Sequence, residues 1–201
     1  MKNSLKAVVA VVLLFSATLS ANAQFDNNRV TERFHFGIRG GITSNTFSGD
    51  VEGVDPLVFP TGGFAFDFQI APVPVFLGFG VNYINEGAKI DSWGRSKETM
   101  NASAIHMPLV FGYHFSTAPN LFVSPYAGTF MSYCVEDMDD DYGFDDDRFN
   151  YGLRLGCGLN FGRLTFDMAY DFGLKNLGER DFDLHTRTFF VTIGYNIAGE
   201  R

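Results

Sequence analysis

Residues 136–147 carry the densest group of ionisable side chains in this sequence, with eight carboxylates in twelve positions. Alternating aspartates of this kind are typical of calcium-binding loops. The EF-hand template, counted from Asp137, needs glycine at its sixth position and glutamate at its twelfth, where this chain has Tyr142 and Arg148. The template therefore fails. The segment is either a solvated loop extended by self-repulsion or a weak site for Ca²⁺ or Mg²⁺.

The four histidines are the other candidates for chemistry, and no two of them have the spacing of metal ligands. We expect His114 at the periplasmic end of a strand and His185 in an outer loop, so no Ser/His/acid triad is evident. The sequence therefore predicts no catalytic residue, no metal and no cofactor.

A β-structure should position these residues, because apolar side chains recur at every second position in eight segments. The connections alternate between long and short, as in outer-membrane barrels with long outer loops and short periplasmic turns. The predicted fold class is all-β, an eight-stranded antiparallel up-and-down transmembrane β-barrel with both termini in the periplasm. The segments are roughly 34–42, 64–70, 77–83, 104–113, 121–133, 151–161, 164–174 and 188–197, and the long connections are roughly 44–61, 88–100, 134–149 and 176–185.

One face of most segments is large and apolar, and the other is rich in glycine and carries the charged side chains. Because charged groups are costly against lipid, we expect the apolar face outside and the polar face in the lumen. An eight-stranded barrel is narrow enough for side chains to fill it, which predicts a plugged interior. The predicted polar network of the lumen is His35, Arg39, Asp67, His106, Arg154, Asp167 and Asp171.

The connection Gly162–Arg163 is a two-residue turn, which determines how the strands on either side pair. It places Arg154 opposite Asp171, both directed into the lumen, where opposite charges on facing strands attract. Small residues should make room for other charged side chains. The pairs expected on this basis are Asp67 with Gly80 and Asp167 with Gly158.

The first residues have the features of a secretory signal peptide: two lysines, an apolar run over 7–17 and the small-x-small site 21–23. The apolar run is shorter than the roughly 20 residues of a membrane-spanning helix. We therefore expect residues 1–23 to be cleaved and residues 24–201 to form one barrel domain. The formal net charge of −8 argues against a nucleic-acid partner.

Five segments resemble the PorT-like outer-membrane β-barrel family of Bacteroidetes: 36–42, 107–109, 151–160, 164–177 and 191–195. The resemblance covers most of the chain after the signal peptide. It implies a barrel in the outer membrane. It implies no particular activity, because most members of that family have none assigned.

These features predict a monomeric, non-enzymatic protein of the bacterial outer membrane. It would contact lipid and have an envelope-structural or surface-interaction role through its long outer loops. A narrow solute or ion channel is one alternative, which the mixed arginine and aspartate lining disfavours. A lipid-modifying barrel enzyme is another, and it requires Ser, His and a carboxylate to meet at one rim. The sequence identifies no protein partner, solute or pathway.

Overall fold

The structure, a computed structural model, describes residues 34–49, 54–70, 73–90, 98–135, 148–176 and 183–198. Strands that are neighbours in the sheet pair antiparallel, and their order is β4-β3-β2-β1-β9-β8-β7-β6-β5. A further pairing of β4 with β6 closes the sheet into a barrel. The strands are β1 (Phe34–Gly49), β2 (Val54–Ile70), β3 (Val75–Ile90), β4 (Glu98–Tyr113), β5 (Phe115–Ala118), β6 (Leu121–Cys134), β7 (Phe149–Phe161), β8 (Leu164–Gly173) and β9 (Leu184–Ala198).

The short strand β5 continues β4, so the barrel has eight strands and the predicted fold class is confirmed. Both parts pair with β6 in one register, because Gly112 faces Tyr126 and Phe115 faces Val123. A short turn is expected over about 115–120, before β6, and this prediction is wrong in part, since Phe115–Ala118 form β5. Only a tight turn remains, in which Asn120 has a φ of 65°.

The strands are longer than the hydrophobic pattern predicts at the end with the long connections, which we call the loop end. Most of 44–61, predicted as a loop, is strand. After Ile42 the outward positions of β1 hold serine and threonine, while pairing with β9 continues to Gly49 and Leu184. The apolar alternation therefore ends where the lipid-facing surface ends, although the backbone pairing does not.

Large apolar side chains cover the outer surface of the barrel, and we call this surface the apolar belt. Its members are 42–62% exposed at the positions given below. Such exposure is unfavourable in water and favourable against lipid, so the predicted orientation of the two faces is confirmed. One member from each barrel strand is Ile38, Phe64, Leu77, Leu109, Met131, Leu155, Leu164 and Ile193.

The lumen also contains large aromatic rings, which the prediction of a polar lumen omitted. A glycine opposite three of these rings provides the space, because a Cβ on that glycine would collide with the ring. Glycine therefore accommodates aromatic side chains here as well as charged ones. The pairs are Phe76 with Gly112, Tyr126 with Gly156 and Phe130 with Gly152.

The pairing registers agree with two of the three predicted pairs. Asp67 pairs with Gly78 and not with the expected Gly80. The strands β2 and β3 pair up to Ile70 and Val75, so their turn is shorter than the sequence pattern indicates and the register differs by two residues. The confirmed pairs are Arg154 with Asp171 and Asp167 with Gly158.

Candidate functional site

Five side chains from five strands fill the middle of the lumen and form what we call the central layer. Arg154 Nη1 donates to both Asp171 oxygens, at 3.1 and 3.0 Å. His106 Nε2 lies 2.8 Å from Asp171 Oδ2 and donates to it, because an ionised carboxylate only accepts. The layer thus joins β4, β7 and β8 across the barrel. Its members are His106, Phe130, Arg154, Asp171 and Phe190.

Two aromatic rings enclose these polar groups. The guanidinium carbon of Arg154 lies 4.3 Å from the centroid of the Phe190 ring, within cation–π range. The His106 ring has centroid distances of 5.2 Å to Phe130 and 5.1 Å to Phe190. Because water is largely excluded here, each charge depends on its protein partners.

A cavity of about 80 Å³ lies between the central layer and the end with the short turns, which we call the turn end. Arg39 Nη2 and Asp67 Oδ2 face each other across 3.8 Å. Tyr126 donates its hydroxyl to both oxygens of Asp167, at 2.8 and 3.0 Å. A cavity of this volume that contains charged side chains has room for several water molecules.

Neutral polar side chains line the cavity near the turn end. Asn160 donates to Ser124 Oγ at 2.8 Å, and Thr165 donates to Asn160 at 2.9 Å. Ser124 Oγ also lies 2.7 Å from His114 Nδ1, and the His114 ring stacks on Phe76 with centroids 4.3 Å apart. This network links β6, β7 and β8, and His114 connects it to the junction between β4 and β5.

A third group, which we call the oxygen cluster, lies in the loop-end half of the lumen and consists of Glu86, Ser132, Asn150 and Thr186. Asn150 Nδ2 donates to Thr186 Oγ1 at 2.9 Å and lies 3.5 Å from Glu86 Oε2. Ser132 faces Asn150 directly across the β6–β7 pair. All four side chains are buried, with exposures of 0–6%.

The seven residues of the predicted lumen network fall into separate groups. Three of them meet in the central layer, and Arg39 and Asp67 form a second pair. Asp167 is held by Tyr126, and His35 is buried at the turn end opposite Asp67. The contact of His106 with Asp171 joins strands that are not neighbours, so strand pairing alone does not predict it.

Sequence reasoning missed Tyr126, Glu86 and Asn150. Tyr126 lies in the segment 121–133, whose two faces are hard to separate from the sequence alone. Glu86 and Asn150 lie just beyond the predicted alternating segments. Continuing the period-two pattern by three residues on β3 and by one residue on β7 identifies both as lumen positions.

Of the remaining candidate residues, the structure describes His185 and does not describe the acidic segment. His185 lies in β9 and not in a loop, and its Nδ1 donates to the Lys175 carbonyl at 3.1 Å. The acidic segment 136–147 lies outside the described residues. Among the described residues, no group of three or more His, Cys, Asp and Glu side chains has the geometry to hold a metal. That part of the chain also contains no helix long and apolar enough to cross a membrane.

A closed barrel of eight antiparallel strands, apolar outside and polar within, is the architecture of bacterial outer-membrane proteins. The chain belongs to the outer membrane protein beta-barrel domain family, whose model matches residues 22–179. The protein is therefore a β-barrel of the bacterial outer membrane. In barrels of this class the short turns face the periplasm and the long loops face outward.

Solved structures of outer-membrane proteins resemble this chain in fold. OprG from Pseudomonas aeruginosa is 14% identical, with a TM-score of 0.51, over 84% of this chain and 98% of that one. Neisserial surface protein A is 12% identical, with a TM-score of 0.46, over 81% and 97%. Ail of Yersinia pestis is 13% identical, with a TM-score of 0.44, over 82% and 99%. No curated protein matches the sequence.

Proposed function

We propose that this protein is a closed, monomeric and non-enzymatic barrel that acts through its outer loops, in envelope structure or in contacts at the cell surface. The central layer is the observation that carries the proposal. Arg154, Asp171 and His106 are hydrogen-bonded across the lumen and enclosed by aromatic rings. A lumen filled in this way supports a scaffold role over transport.

The length of the strands also supports an external role. A membrane-spanning strand needs about 9–11 residues, whereas β1 has 16 and β2 has 17. At the loop end, β3 is still paired at Ile90, which faces Val54 on β2 and Glu98 on β4. The barrel wall therefore extends beyond the apolar belt and raises the outer connections above the lipid.

Conductance in planar bilayers tests whether the lumen is closed. We expect no steady current steps from the wild-type barrel. The double variant R154A/D171A removes both charges together and empties part of the central layer, so it should raise the conductance and show that the assay detects an opened lumen. Steady steps from the wild type would favour the channel alternative.

Complementation of a deletion strain tests where the function lies. A barrel with residues 136–147 replaced by a short Gly/Ser linker should fail to restore detergent resistance or surface binding. The lumen variant H106Q should restore it, because the proposed role does not use the lumen. The opposite pattern would contradict the proposal.

The enzyme alternative has one observation in its favour. His106 and Asp171 form the pair that a general base and its orienting carboxylate make, and Ser132 faces His106 on β6. Their burial argues against it, since the side chains of His106 and Asp171 are 1% and 3% exposed. The test measures acyl release from labelled phospholipid in outer-membrane vesicles. Release that is lost in H106Q would favour this alternative.

The acidic segment 136–147 is proposed as a weak site for divalent cations, which its eight carboxylates support. Millimolar Ca²⁺ should then protect it from cleavage by an Asp-specific protease. A variant with its aspartates changed to asparagine and one aspartate retained serves as the control. If Ca²⁺ does not change the cleavage of the wild type, the segment binds no cation and the solvated-loop interpretation holds.

We also propose that the chain belongs to the PorT-like branch of outer-membrane barrels. The glycine-rich segment 151–160 and the segment 164–177 carry this proposal. A tree built from barrel sequences of Bacteroidetes and other bacteria tests it. The chain should group with PorT-like members, and a position among unrelated barrels would contradict the assignment.

A further inference from the structure

We propose that the oxygen cluster in the outer half of the lumen is a binding site for a hard cation, namely Ca²⁺ at millimolar concentration. Glu86, Ser132, Asn150 and Thr186 would supply the ligands. They lie on β3, β6, β7 and β9, so a bound ion would tie both sides of the barrel together. The site is separate from the acidic segment 136–147.

The distances within the cluster suit neighbouring ligands of one ion. The amide nitrogen of Asn150 lies 2.9 Å from Thr186 Oγ1 and 3.5 Å from Glu86 Oε2. Rotating the amide by half a turn puts its oxygen at that position. Ca²⁺ binds oxygens at about 2.3–2.6 Å, so adjacent ligand oxygens around it are about 3–3.5 Å apart. The observed spacings agree with this value.

Glu86 is the one carboxylate of the cluster, and its ionised form requires a partner. The Glu86 side chain is 6% exposed and, among the described residues, forms no ion pair with lysine or arginine. An unpaired buried carboxylate is strongly unfavourable. His106, on the inner side of the cluster, already donates to Asp171. A cation bound at Glu86 would neutralise the carboxylate.

A second polar atom in the cluster also lacks a partner. Asn150 is 2% exposed, and its Oδ1 has no hydrogen-bond donor within the described part of the chain. An acceptor left without a donor at this depth is unfavourable. Half a turn of the amide would make this oxygen a ligand of the cation and would move the nitrogen to the position that the oxygen now occupies.

Small residues around the cluster leave room for these side chains to converge. Glu86 pairs with Ala102 on β4, so its side chain extends across the lumen without obstruction from that neighbour. Thr186 reaches Asn150 past Gly173 on β8, where a Cβ would collide with the Thr186 hydroxyl. Small residues on two strands, β4 and β8, therefore provide the space.

The ligand set favours Ca²⁺ over Mg²⁺ and predicts weak binding. One carboxylate and three neutral oxygens supply little negative charge, and the affinity of calcium sites rises with the number of charged ligands. Mg²⁺ needs a near-ideal octahedron at short distances and retains its water. Side chains from four separate strands suit the flexible geometry of Ca²⁺ better.

The experiment uses the refolded mature barrel with the six aspartates of 139–141 and 145–147 changed to asparagine, so that the acidic segment contributes little. We expect about one Ca²⁺ bound per chain in equilibrium dialysis with ⁴⁵Ca²⁺. At ten times the Kd the midpoint of thermal unfolding should rise by about 3–6 °C. Mg²⁺ should raise it less.

The variants E86Q and N150L should lose both the bound ion and the shift in midpoint. The variant T186V, which is isosteric, should weaken binding about tenfold. D67N is the matched control, because it neutralises a lumen carboxylate in the periplasmic half, and it should keep the shift. The heat-dependent mobility of the barrel in gels verifies folding of each variant.

Three results would overturn the proposal. The first is a barrel without the six aspartates that binds no Ca²⁺, and the second is an E86Q variant that binds Ca²⁺ as well as its parent. The third is an infrared band of a protonated carboxyl that disappears in E86Q and persists in Ca²⁺, which would show that a proton neutralises Glu86. If E86Q fails to fold, T186V replaces it, and T186V binding as tight as that of the parent would overturn the proposal.

Discussion

Asp171 holds the central layer together, because it accepts hydrogen bonds from Arg154 and His106 while only 2% exposed. Its pairing with Arg154 was predictable from sequence, since a two-residue turn determines the register of β7 and β8. Its contact with His106 was not, because β4 and β8 meet only across the lumen. Contacts across the lumen depend on barrel diameter and side-chain length, which pairing rules do not contain.

Asp171 has two partners, so the variants D171N and R154Q should lower the free energy of unfolding by different amounts. D171N leaves the buried Arg154 charge uncompensated, so it should lower the free energy of unfolding by about 3–5 kcal/mol. R154Q should cost less, about 1–3 kcal/mol, because His106 remains bound to the carboxylate. Urea titration of the barrel in lipid vesicles measures both values.

The matched control for this pair is D67N. Its partner Arg39 lies 3.8 Å away and both side chains are more exposed, at 14% and 21%, so the change should cost less than about 1 kcal/mol. Equal losses for D171N and D67N would contradict the role given to the central layer.

Among the elements, β6 shows why the lumen was harder to predict than the outer surface. Its lumen face carries Tyr126 and Phe130 together with Ser124 and Ser132, so bulk alone does not separate its two faces. Each ring is accommodated by a glycine on β7. The relation between a ring and the glycine opposite becomes visible only once the register is known.

The glycine opposite Tyr126 provides a direct test of this packing. In G156A the new methyl group would collide with the Tyr126 ring, displace it and break its hydrogen bonds to Asp167. We expect a loss of about 1–3 kcal/mol in urea titration. G158A is the control two residues along the same face, where the nearest contact, Asp167 Oδ2 at 3.4 Å, is ordinary. Equal stability of the two variants would contradict the packing.

The apolar belt is tested on β8. Phe166 is 38% exposed on the outer surface and lies between Leu159 and Ile193 on the neighbouring strands. F166R should lower stability in bilayers by about 2–4 kcal/mol, because it places a charge against lipid. S44R, on the outward face of β1 beyond the belt, should cost no more than about 1 kcal/mol. An F166R barrel as stable as wild type would reverse the assignment of the faces.

For the whole molecule, the barrel was predictable because three independent features agree: period-two alternation, alternating connection lengths and a polar face rich in glycine. The strand ends were not, since serine and threonine replace the apolar residues of β1 while pairing continues. The oxygen cluster escaped prediction for the same reason, because Glu86 lies on a strand that outlasts its apolar pattern. The length of a hydrophobic pattern therefore indicates the thickness of the membrane more reliably than it indicates the length of the strand.

The last prediction concerns maturation of the chain, which precedes barrel assembly. The site Ala21–Ala23 has the small-x-small form that signal peptidase cleaves, and it follows an apolar run over 7–17. We expect the outer-membrane form to begin at Gln24, because export through the inner membrane requires the signal and barrel assembly does not. Intact-mass measurement of the outer-membrane fraction identifies the new terminus. A bulky residue in A23L should block cleavage and retain the chain at the inner membrane, whereas S20A, outside the cleavage motif, should be processed normally. A chain that retains Met1 in the outer membrane would contradict the cleavage.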